Sequence, residues 1–64
     1  MSFSRLVTDR QFEMAFLTHS SVYARHRKHE EYHFIGGLDG FNPLLVTVSG
    51  TKLERDEYDF LITK

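Results

Sequence analysis

Hydrophobic and polar positions change rhythm near the middle of this chain. Between residues 12 and 23, Phe12, Ala15, Phe16, His19 and Tyr23 recur at helical spacing, and Met14 and Leu17 widen the apolar side. Beyond residue 31 the rhythm becomes alternation. Tyr32 and Phe34 fall on one side of an extended chain, with His33 and Ile35 on the other. The run Leu44-Leu-Val-Thr-Val-Ser49 is rich in β-branched residues, and Tyr58, Phe60 and Ile62 alternate with Asp59, Leu61 and Thr63. Strands are therefore expected near 32–36, 44–49 and 58–63. The apolar triplet from Phe60 to Ile62 implies that both faces of the last strand are partly covered.

Local signals place the helix start. Thr8-Asp9-Arg10-Gln11 has capping-box spacing, with a hydroxyl at the N-cap and an amide three residues on. Val7 and Phe12 are placed to staple across that cap, and Asp9 suits the positive end of the helix dipole. Thr18, Ser20 and Ser21 weaken the middle of the helical pattern because their hydroxyls compete for the backbone. The spacing predicts a helix over about 9–26, preceded by a short strand within 2–7. Gly36-Gly37, Asp39-Gly40 and Asn42-Pro43 are turn formers, and Gly50 opens a turn or short excursion reaching about Asp56. The fold class is α+β: one N-terminal helix packed on a three- or four-stranded, mainly antiparallel sheet. The alternative is an all-β small barrel or sandwich, should residues 11–17 be extended.

Composition narrows the picture. Sixty-four residues make a single domain, which buries only about 60% of the surface its unfolded chain exposes. Six Phe and three Tyr supply the large apolar areas such a core needs. The chain has no cysteine, which removes disulfides and thiolate zinc sites as staples. A net charge of −1 disfavours a general nucleic-acid binder. No apolar run approaches the ~20 residues of a membrane span, and the first residues lack a signal-peptide layout. A cytoplasmic protein without membrane attachment is expected.

Candidate chemistry concentrates in 23–37. His26, His29 and His33 would line one face of an uninterrupted helix and could bind zinc or nickel, with Glu30 or His19 as a further ligand. That spacing matches no established ligand signature, and a helix ending before His33 splits the set, so no metal or other cofactor is assigned. Arg25, Arg27 and Lys28 form a basic cluster flanked by Tyr23 and Tyr32. Arginine pairs with carboxylates and stacks on aromatic rings, which suits a partner-binding site. The 36–40 glycines lack phosphate-loop spacing and read as a turn. No nucleophile-elbow pattern surrounds Ser20 or Ser21, so no catalytic set is assigned.

Leu17-Thr-His-Ser-Ser-Val-Tyr-Ala24, followed by Glu30-Glu-Tyr-His-Phe-Ile-Gly36, is similar to the opening of the ribonuclease III nuclease domain. The family's two metal-binding acids would fall on His33 and Gly37 here, so the likeness carries over no residue. The expected function is a non-catalytic protein-interaction module, a small regulatory or inhibitory protein of the phage accessory type. Tyr23, Arg25, Arg27, Lys28 and Tyr32 are its expected partner-binding residues. A histidine–metal module is the second reading, and a small nucleic-acid-binding domain the third. The last strand is expected at a sheet edge, which a homodimer or a protein partner would cover.

Overall fold

Thr8 opens the helix as its spacing predicts. In the computed structural model, which describes residues 3–63, its hydroxyl accepts from the Gln11 amide at 3.2 Å. Gln11 Oε1 accepts in return from the backbone N–H groups of Thr8 and Val7, at 3.0 and 2.7 Å. The helix, α1, runs Asp9–Leu17. A Thr8→Ala variant is expected to lose about 1 kcal/mol of stability. Thermal melts should register that as a drop of about 4–8 °C in Tm for a domain of this size.

The helix is half the expected length. Thr18 caps it, His19 turns left-handed with φ 54°, and two bonds close the end: His19 N–H to Phe16 O, and Ser20 N–H to Ala15 O. This is a Schellman closure with histidine where glycine is usual. The Thr18 hydroxyl donates back to Met14 O at 2.8 Å and meets the Ser20 hydroxyl at 2.8 Å, which occupies the serine without His19. Residues 21–26, expected to continue the helix, form a strand instead.

Six strands, not three or four, follow the alternations. They are β1 (Phe3–Leu6), β2 (Ser21–His26), β3 (His33–Phe41), β4 (Leu45–Val48), β5 (Thr51–Glu54) and β6 (Tyr58–Thr63). They form one open sheet in the order β1-β6-β2-β3-β4-β5, with every neighbouring pair antiparallel. With α1 helical, the all-β alternative does not hold. The last strand lies inside the sheet, between β1 and β2, rather than at an edge; the edges are β1 and β5. Ser2, included in the expected first strand, lies outside the described residues.

Strand β3 runs through Gly36-Gly37 and Asp39-Gly40 instead of turning there. A register shift between Leu38 and Gly40 marks a bulge, which bends the strand. Asp39, at that bulge, accepts the Gly50 N–H at 2.6 Å. Ser49 and Gly50 both have positive φ (48° and 81°), the signature of the primed two-residue turn that joins β4 to β5.

The core lies between α1 and the inner sheet face. Phe12 sits at its centre, 1% exposed, among Leu6, Val22, Ala24, Val46, Val48, Leu53 and Phe60. Among the described residues no helix is long and apolar enough to cross a membrane.

Candidate functional site

Antiparallel register decides which side chains share the outer face of the sheet, the one away from α1. Arg5 pairs with Leu61, Leu61 with Tyr23, and Tyr23 with Ile35, which makes one row across four strands. Asp59, Arg25 and His33 make the next row. Two residues along β1 from Arg5 stands Phe3, 60% exposed. Phe3, Tyr23, Arg25 and Leu61 together line a shallow hollow of about 420 Å³. The rings of Tyr23 and His33 lie nearly parallel, with centroids 6.1 Å apart.

Charge on this face is uneven. Asp59 accepts from Arg5 at 2.8 Å and from Arg27 at 3.1 Å. Arg25, directly opposite Asp59 in register, makes no ion pair among the described residues. Three arginines therefore face one carboxylate. The chain carries eight basic and nine acidic residues, so five basic and eight acidic residues remain elsewhere. Surface pairs such as those of Asp59 contribute about 0–1 kcal/mol each, so they leave the arginines available to a stronger partner.

The expected partner-binding residues divide between two places. Tyr23 and Arg25 belong to the outer face, and Arg27 reaches it through Asp59. Lys28 sits in the turn between β2 and β3, where its N–H donates to His26 Nδ1. Tyr32 lies in a different aromatic group, 6.2 Å from the His26 ring and 5.8 Å from that of His29. His26 in turn meets Tyr58 edge-on at 4.9 Å, at the rim of the core side. The two tyrosines do not bracket a common site.

The three histidines do not converge either. His26 and His29 have ring centroids 5.0 Å apart, while His33 stacks on Tyr23. The helix that would have aligned them ends at Leu17. His26 Nδ1 is already occupied, accepting the backbone N–H groups of Lys28 and His29, both at 3.1 Å. Among the described residues no group of three or more histidines, aspartates or glutamates is placed to hold a metal ion.

Phe3, Arg5, Ile35 and Leu61 escaped the sequence reading of this surface. The only signal was the apolar triplet at 60–62, which requires one of its members to face away from the core. The acidic turn between β5 and β6 is separate from the outer face. There the Glu54 carboxyl titrates above its ordinary range, first because Glu57 hydrogen-bonds to it and then because the charges of Glu57 and Asp56 crowd it. No family model, curated protein or solved structure matches the chain.

Proposed function

We propose that the protein is a non-catalytic interaction module whose outer sheet face binds a larger protein through apolar and acidic groups. The observation that carries this reading is Arg25, an exposed arginine without an ion pair among the described residues, set beside the half-buried Tyr23 and Leu61 and the exposed Phe3. Interface hot spots combine this chemistry, an aromatic anchor next to arginine. Arg5 and Arg27 reinforce the positive potential, which steers an acidic partner and fixes its register. On this reading its role is regulatory or inhibitory, exerted by covering a surface of the partner.

A photo-crosslinking residue in place of Ile35, at the border of the hollow, identifies the partner and the peptide it contributes. That peptide should be acidic with an apolar anchor. Purified partner should bind Arg25→Glu at least tenfold more weakly than the parent, which corresponds to about 1.4 kcal/mol. Arg27→Glu should cost less, because Arg27 already shares Asp59. Equal affinity for parent and Arg25→Glu sinks the reading. Oligonucleotide binding that falls steeply with salt transfers the face to single-stranded nucleic acid instead.

A further inference from the structure

The inner side of β1 carries a second feature, on the opposite surface from Tyr23 and Arg25. Between α1 and the β1–β6 corner lies a groove of about 440 Å³. Leu6, Ala15 and Ile62 form its apolar floor, and Arg10 and Met14 form its helical wall. Because β1 is an edge strand, no further strand among the described residues closes the groove on that side. We propose that β1 accepts an extended segment of a partner protein as a seventh strand. One acidic side chain of that segment meets Arg10, and an apolar one, two residues away, packs against Met14.

Three observations converge on this. First, β1 offers a free edge of four residues without proline or bulge, so its outward peptide groups can pair with an incoming strand. Second, Arg10 stands in the first turn of α1, where the helix dipole disfavours a cation. It makes no ion pair among the described residues, and the neighbouring Asp9 is taken by Arg55 at 2.6 Å. Met14, its neighbour one turn on, is 54% exposed. Third, the spacings match. Four residues of helix advance about 6 Å, and two residues of strand advance about 6.4–6.8 Å. A strand that follows the helix axis along the groove meets Arg10 and Met14 with side chains two residues apart, and the pattern proposed for it is Asp or Glu, any residue, then an apolar one.

A second copy of this chain does not supply that pattern from its own edges. On β5, Lys52 and Glu54 share one side and Thr51 and Leu53 the other. On β1 the sides are Phe3 with Arg5 and Ser4 with Leu6. Neither edge places an acid and an apolar residue two apart, so the occupant is a foreign segment.

The probe is the acetylated, amidated peptide Ser-Thr-Asp-Thr-Leu-Thr-Ser, titrated into the ¹⁵N-labelled full chain. Amide shifts should concentrate at residues 3–8, Arg10 and Met14, with Kd below about 1 mM, the level that corresponds to about −4.1 kcal/mol. Arg10→Glu should weaken binding at least tenfold, and a peptide with Lys in place of Asp should prefer Arg10→Glu to the parent. Met14→Ser gives an independent loss should Arg10→Glu fold poorly. Arg25→Glu should bind the peptide as the parent does, which separates this site from the outer face. Absence of β1 shifts, indifference to the charge swap, or shifts centred on Tyr23 and Arg25 each overturns the proposal. So does a dimer in sedimentation whose β1 amides are protected without peptide, which makes a second copy the occupant.

Discussion

Phe12→Ala is expected to remove about 3–5 kcal/mol, a large part of the folding stability of a chain of this length. The ring is 1% exposed and packs edge-on to Phe60 at 5.5 Å and tilted against Phe41 at 5.7 Å. Truncating a buried Phe to Ala costs about 3–5 kcal/mol, through lost transfer energy and the cavity left behind. Natural domains hold roughly 0.05–0.15 kcal/mol per residue, so a chain of this length has on the order of 3–10 kcal/mol in all. The loss extends beyond the cavity. The Arg55 guanidinium lies 4.5 Å over the Phe12 ring and donates to Asp9 Oδ1 at 2.6 Å, Asn42 O at 2.8 Å and Val7 O at 3.0 Å. That one side chain ties the β5–β6 turn to the β1–α1 junction, and it rests on the ring. Urea titration followed by far-UV circular dichroism checks this, with Phe12→Leu as the milder companion. A Phe12→Ala midpoint close to the parent's contradicts the packing of α1 on the sheet.

The fold was legible where local chemistry and tertiary structure agree. Thr8 and Gln11 are neighbours in sequence, so their reciprocal cap could be read directly, and so could the alternations at 44–49 and 58–63. The helix end could not. Its closing residue is His19 in a left-handed conformation that sequence rules expect of glycine, and Tyr23 continues the helical spacing of Phe12, Phe16 and His19 by coincidence. Strand β2 hid because the residues it buries between Ser21 and His26 are Val22 and the small Ala24, which give a weak apolar beat. Strand β5 buries only Leu53. Regular pairing at Gly36-Gly37, and a bulge rather than a break at Asp39-Gly40, carried β3 past its expected end. The candidate site was half legible for a related reason. Tyr23 and Arg25 announce themselves within one basic, aromatic segment, whereas Phe3, Arg5, Ile35 and Leu61 join them only through strand register. Tyr32 and Lys28, adjacent in sequence, were carried away by the turn.

The paired glycines of β3 give the other large effect, and it is a conditional one. A Cβ built on Gly36 falls 1.6 Å from Ser49 Oγ and 2.9 Å from Ser49 Cβ, whereas one on Gly37 meets nothing within 4 Å. Rotating the serine hydroxyl relieves the first contact but not the second, so the β4–β5 turn must move. That turn is held by Ser49 N–H to Gly37 O at 3.0 Å and by Gly50 N–H to Asp39 Oδ2. Gly36→Ala is therefore expected to cost about 1–3 kcal/mol, the usual range for overpacking. Gly37→Ala should cost under about 1 kcal/mol, since it meets no steric obstacle. Ser49→Gly removes the obstructing side chain, and it also suits the positive φ of that position, where an L-residue is strained. The pair Gly36→Ala with Ser49→Gly should then recover most of the lost stability. Residues in contact are where additivity fails, so a double-mutant cycle with a coupling of about 1 kcal/mol or more is the readout. Strict additivity of the two substitutions rules out the contact and places the turn elsewhere than over Gly36.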